Sequence, residues 1–181
     1  HGNFGMRIEV SREDELLDTG GGLKKAAWFF EGHAEEPFLL HNVDVLSTID
    51  LQQMVRFHHE RGALATLAVQ DRATSRYLLF DGQGELCGRK AGRDGEAEMA
   101  RACASPQALA FAGIHVLSPR LLRRLSEDGA FSIIAAYLRL AGEGARICGF
   151  RADGYRWRDL GRPEHVAEAA REIAEGLFPQ A

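Results

Sequence analysis

An α/β layered fold around a mostly parallel, mixed sheet flanked by helices is what the sequence predicts, and three observations predict it. Short apolar runs, "PFLLHNVDVL", "ALATLAVQ" and "ALAFAGIHVLSP", recur along the chain with the unbroken hydrophobicity of strands covered on both faces. Segments of ten or so residues with helical spacing separate them, as when helices cover a sheet. With 181 residues, 45% hydrophobic and 27% charged, the chain has a globular composition and the length to bury a core.

Met6–Arg12 alternates apolar and polar residues and so predicts a strand. Gly20, Gly21 and Gly22 then stand before Leu23–Phe30, which has helical spacing. Pro37–Leu46 reads as a strand buried on both faces. Asp50 is placed to cap a helix through Arg61, with Leu51, Met54, Val55 and His58 on one side. Ala63–Gln70 is a further buried strand. "RYLLFDGQGELCGRK" predicts a hairpin turning at Asp81–Gly84. The polar stretch Lys90–Pro106 predicts a surface loop. Ala108–Pro119 is again a strand, and Pro119 can open a short helix. A helix over Phe131–Ala141, a strand within "ARICGFRADG" and a helix over Pro163–Leu177 complete a single expected domain, residues 1–181.

Net charge is −4, which gives no electrostatic basis for binding nucleic acid or a membrane surface. No apolar run approaches the roughly 20 residues of a membrane span. Cys87, Cys103 and Cys148 are widely spaced and form no CxxC, and the seven histidines form no HExxH. A disulfide scaffold and a structural zinc site are therefore not expected, and a reducing cytoplasm is the expected compartment.

Ligands of open α/β sheets collect at the carboxyl ends of the strands. Asp18–Gly22, Asn42–Asp44 and Trp157–Pro163 fall at such positions. The glycines suit either a tight turn into a helix or a flat ligand lying on bare main chain, with N–H groups free and Thr19 adding a hydroxyl. Asp44 ends an apolar run, where a carboxylate needs a partner, a metal or a turn to cap. Asp159 can brace the "DLGRP" turn. Together, two carboxylates at one sheet edge make an oxygen site for Mg²⁺. A dinucleotide fingerprint is the rival: Gly20, Gly22 and Asp44 fit it, but Lys25 stands where its third glycine belongs, and Asp159 is left without a role. His41 and His58 read as core histidines.

Four ordered segments, "LLDTGGGLKKA", "PFLLHNVDV", "FAGIHVLSP" and "WRDLGRPEHV", span nearly the whole chain and resemble the sugar-phosphate nucleotidyltransferases, most of all the N-acetylmuramate-1-phosphate uridylyltransferase and mannose-1-phosphate guanylyltransferase types. The resemblance implies a Rossmann-like nucleotidyltransferase fold that makes a nucleotide-sugar and pyrophosphate from a nucleoside triphosphate and a sugar 1-phosphate. Asp44 and Asp159 would be the catalytic, Mg²⁺-holding pair. Thr19, Gly20, Gly21 and Asn42 would contact the nucleotide; Gly88, Gly113 with the Ile114 backbone, and Trp157 would border the sugar. The family's Gly-rich, Arg-containing loop has no counterpart before "HGNFGMRIEV", which leads to the expectation of an N-terminally truncated domain lacking its first strand or strands, weak in turnover and open to self-association. A non-catalytic nucleotide-sugar-binding or regulatory module is the alternative.

Overall fold

The computed structural model describes residues 5–31 and 36–178. Nine strands are formed there: β1 Phe38–His41, β2 Val45–Ser47, β3 Ala65–Gln70, β4 Arg76–Phe80, β5 Leu86–Ala91, β6 Ala97–Met99, β7 Gln107–Leu117, β8 Ile147–Arg151 and β9 Trp157–Asp159. The α-helices are α1 Asp18–Lys25, α2 Leu51–Arg61, α3 Ile133–Gly142 and α4 Pro163–Ala174, with 3₁₀ turns at Ala26–Phe30 and Pro119–Arg124. No helix among the described residues is long and apolar enough to cross a membrane.

The main sheet runs β6-β5-β4-β7-β3-β8, with β1 also on β7. Its side chains divide between two cores. Leu67, Val69, Leu109 and Ile147 join Leu23 of α1 and Tyr137 of α3, whereas Ala68, Ile114, Val116 and Phe150 join Met54 of α2. Helices thus cover both faces, and the α/β class read from the apolar runs holds. The strand directions differ from the mostly parallel arrangement expected: only β3–β8 is parallel, and every other pairing is antiparallel. An apolar run reports burial on two faces, which helices impose on antiparallel strands as readily as on parallel ones.

β7 organises the sheet. β3 pairs along one edge, and on the opposite edge β4 pairs with residues 107–110 and β1 with 114–117. Gly113 lies between the two stretches with φ +74°, a backbone setting that favours glycine. β4 and β1 therefore part at Gly113, and the sheet opens there.

Local chemistry explains several other elements. Asp50 caps α2 by accepting the Gln53 N–H at 2.9 Å, and Gly62 ends that helix with φ +55°. The β4–β5 hairpin turns because one Asp81 carboxylate oxygen accepts the N–H groups of Gln83 and Glu85, both at 2.9 Å.

Four expectations need correction. Met6–Arg12 forms no strand; Met6, Ile8 and Val10 are exposed, so their alternation has no sheet to face. The glycines lie inside α1 rather than before a helix, and Ala26–Phe30 is 3₁₀. Pro37–Leu46 divides into β1, half-buried in alternation, and β2, which leaves for a two-stranded ribbon with β9. Lys90–Pro106 contains β6, which closes on β5.

Candidate active site

Where β4 and β1 part, a cleft of about 850 Å³ opens. β7 supplies its floor through Phe111, Gly113 and His115. The α1 start contributes Asp18 and Thr19, the α3 start Ser132 and Ile133, and the β1–β2 connection Asn42 and Asp44. Arg72, following β3, and Trp157 with Asp159, on β9, form a further wall. The cleft thus lies beyond the carboxyl ends of the parallel strands β3 and β8, with the N-terminus of α3 at its margin favouring an anionic ligand, while the α1 start presents the Asp18 carboxylate and has its first N–H groups already bonded.

The β2–β9 ribbon brings the two aspartates together. Val45 lies opposite Asp159 in an antiparallel register, and the Leu160 N–H donates to the Asp44 carbonyl at 2.7 Å. Gly161 shows how near the carboxylates are. A Cβ built on it would lie 3.1 Å from Asp159 Oδ1 and 3.5 Å from Asp44 Oδ2, so the oxygens are separated by no more than the sum of those distances. Asp159 Oδ1 also accepts the Gly161 N–H at 2.8 Å, and His165 Nδ1 stands 3.8 Å from it. Two carboxylates facing a gap that a single methyl would crowd suit a hard divalent cation completed by substrate oxygens. Among the described residues no three His, Cys, Asp or Glu side chains form a metal site alone.

The ribbon is held by Val45 and Trp157 packing on the second core and by polar bonds within it and to its neighbours. Trp157 Nε1 donates to the Ala112 carbonyl at 2.7 Å, and Ser47 Oγ donates to the Arg156 carbonyl at 3.0 Å. Arg158, facing away from the cleft, pairs with Glu168 and Glu172 of α4. Asn42 is fixed by its N–H donating to the Gly113 carbonyl at 2.9 Å.

Thr19, Asn42, Asp44, Gly113, Trp157 and Asp159 line the one cleft. Gly20, Gly21 and Gly88 do not. A Cβ on Gly20 would collide with the Phe131 ring and lie 2.7 Å from the Phe131 carbonyl oxygen; one on Gly21 would meet the Gly129 carbonyl and lie 2.9 Å from Leu17 Cβ. The close approach implied by the triple glycine is made by the chain itself, by the 129–131 segment at Gly20 and Gly21 and by the Glu13 carboxylate at Gly22, so Gly20 and Gly21 are covered by protein. Gly88 is small because β6 passes over it: its Cβ would sit 2.6 Å from the Glu98 carbonyl oxygen. The dinucleotide reading fails on the same geometry, since its glycines must form a turn between strand and helix and these lie within α1.

The fold agrees with solved nucleotidyltransferase structures. A UDP-glucose pyrophosphorylase complexed with UDP-glucose superposes with TM-score 0.68 at 19% identity, over 91% of this chain and 65% of that one. HddC from Yersinia pseudotuberculosis superposes with TM-score 0.64 at 18% identity, over 89% and 64%. In sequence, the chain is 27% identical over 166 residues to the mannose-1-phosphate guanylyltransferase catalytic subunit beta of Danio rerio, covering 89% of this chain and 42% of that protein. The mannose-1-phosphate guanylyltransferase of Mycobacterium tuberculosis is 25% identical over 181 residues, covering 97% and 47%. The chain is a relative of the sugar-phosphate nucleotidyltransferases. It spans under half the length of these two curated relatives. No family model matches it.

In this nucleotidyltransferase relative, several cleft residues went unremarked in the sequence: Arg72, Phe111, His115, Arg89 and Lys90. His115 is wholly buried, bonded through Nδ1 to the Tyr137 hydroxyl at 2.9 Å, and burial, with His41 adding to it, pulls its pKa down to about 3. Arg72 had one available signal, a cation two residues past the fully buried "ALATLAVQ" run. Burial lowers its pKa from the ordinary arginine value, with Asp159 and Tyr77 acting in the opposite direction.

Proposed function

We propose that this chain is a nucleotidyltransferase domain that acts on a nucleoside triphosphate and a sugar 1-phosphate, and that Asp44 and Asp159 hold the Mg²⁺ the reaction uses. The observation that carries the reading is the convergence of those two carboxylates upon Gly161 in the cleft. The names of the relatives support the same substrate class.

In the reaction, an oxygen of the sugar phosphate attacks the α-phosphorus of the triphosphate. The bond from that phosphorus to the bridging oxygen breaks, and pyrophosphate leaves with the electron pair. The attacking phosphate is already ionised near neutral pH, so no general base is required, and the protein supplies alignment and charge balance. A bound divalent cation supplies neutralisation of the crowded phosphoryl charge. Asp44 and Asp159 would hold that cation. The Thr19 hydroxyl and the Asn42 amide offer hydrogen bonds to the nucleotide, and the N-terminus of α3 favours phosphate by about 0.3–1 kcal/mol, whereas the first N–H groups of α1 are taken by Asp18 and the Phe131 carbonyl. Gly113 and Trp157 border the sugar.

Pyrophosphate release from protein, triphosphate, hexose 1-phosphate and Mg²⁺ tests the reading. Release that requires both substrates and falls about a hundredfold or more in Asp44→Asn and in Asp159→Asn is the expected result. Release indifferent to either substitution would overturn it. Calorimetric titration of Mg²⁺–nucleotide into the same three proteins tests the binding step on its own.

A further inference from the structure

Four cleft cations, Arg72, Arg76, Arg89 and Lys90, have no role in the mechanism above; Arg76 is exposed, whereas Arg72 is half-buried and held in place. The Arg72 guanidinium lies 3.7 Å from the centroid of the Trp157 ring, and its Nη2 donates to the Phe111 carbonyl at 2.8 Å. Trp157 is itself anchored by its bond to the Ala112 carbonyl. The guanidinium is therefore held flat against one wall, with Asp159 on the same wall. Several half-buried arginines elsewhere are ion-paired, Arg101 with Asp81, Arg139 with Glu127 and Arg158 with Glu168. Within the cleft, Arg89 pairs with Glu98 at 2.7 Å, and Lys90 donates to the Arg93 carbonyl. Arg72 forms no ion pair among the described residues, and its Nε–H is buried with no acceptor among them.

An arginine stacked on an indole and tied at one nitrogen keeps its remaining in-plane N–H groups in a fixed fork, the geometry that matches two oxygens of an oxyanion. The neighbouring Asp44 and Asp159 would repel a lone anion. A guanidinium beside them corrects that balance for a phosphate that must lie next to the carboxylates. We propose that Arg72, on its Trp157 platform, binds a phosphate group of a substrate in this cleft and positions it beside Asp159. The proposal rests on the nucleotidyltransferase reading for its substrates. The oxyanion chemistry is shared by the hexose 1-phosphate and the triphosphate, and the test separates them.

Trp157 reports on its own site. The chain has two tryptophans, and Trp28 is exposed, so Trp28→Phe leaves Trp157 as the single indole. Into this variant we would titrate mannose 1-phosphate, guanosine triphosphate and inorganic phosphate separately, following emission. The expected result is a saturable change with a phosphate ester, its half-saturation concentration raised about tenfold or more by Arg72→Gln and less by Arg72→Lys, which keeps charge but loses the fork. The tighter ester identifies the source of the phosphate. Unchanged half-saturation in Arg72→Gln, or no response to any of the three, would overturn the proposal. Circular dichroism checks folding, and if Arg72→Gln fails to fold, Arg72→Lys decides, with unchanged half-saturation again the overturning result. Because no turnover is read, absence of nucleotidyl transfer would count against the proposed reaction and leave this result standing.

Discussion

Every residue of β3, Ala65 to Gln70, is buried, whereas all six residues of the β2–β9 ribbon are half-exposed. Both are strands, but they differ in how much apolar burial holds them. β3 lies between β7 and β8 with helices over both faces, and its stability comes from apolar burial. The ribbon has three residue pairs; Val45 and Trp157 pack partly on the second core, and the Trp157 and Arg158 bonds fasten it further. Most of the apolar burial thus resides in the sheet, and the proposed chemistry resides on a half-exposed ribbon at its margin.

The comparison predicts which substitutions unfold the chain and which only disable it. The largest effect is expected in the sheet. Leu67, fully buried on β3, should destabilise the fold by roughly 2–5 kcal/mol on truncation to alanine. Denaturant unfolding of Leu67→Ala checks this, and a loss no larger than that of a ribbon substitution such as Ser47→Ala would break the comparison.

A second prediction concerns pH. His58 is bonded to the Thr66 and Ser118 hydroxyls, both at 2.9 Å, and its pKa is lowered to about 4 by burial, then by His59 and Arg120. His115 is lowered to about 3. Both histidines are held neutral in the folded state, so the unfolded chain binds protons first as pH falls. Their stability contribution is whole above the unfolded value of 6.5. It is lost at up to ~1.4 kcal/mol per pH unit for each histidine as pH drops from there toward their folded values. Unfolding measured from pH 7 to 4 should show this slope, and His58→Gln should flatten part of it.

The smallest effect belongs to the ribbon. Gly161→Ala places a methyl 3.1 Å from Asp159 Oδ1, tight enough to push the carboxylates apart by a few tenths of an ångström. Cation affinity should fall by a few-fold, about 1 kcal/mol or less, while thermal unfolding stays near wild type.

How much of this was legible in the sequence follows the same division. "ALATLAVQ" declared β3, Asp50 declared the start of α2, and Asp81 with Gly84 declared the hairpin, because burial, capping and turn chemistry are local. Strand direction was not legible, since covering helices produce the same apolar runs for either sense. β9 and β6 were missed because three residues carry too little periodicity to register. The break in "PFLLHNVDVL" at Asn42–Asp44 was hidden by the apolar residues on either side, and it is the break that aims Asp44 into the cleft. For the glycines, the sequence indicated close approach but not the identity of the neighbour. That neighbour, Phe131, lies more than a hundred residues along the chain.

Manganese titration followed by electron paramagnetic resonance, with nucleoside triphosphate present, tests the central claim most directly. One site shared by Asp44 and Asp159 predicts a single bound ion in the wild-type protein. Asp44→Asn and Asp159→Asn should each weaken it about tenfold or more, and the double variant should lose little beyond either alone. Wild-type affinity in either single variant would contradict the claim.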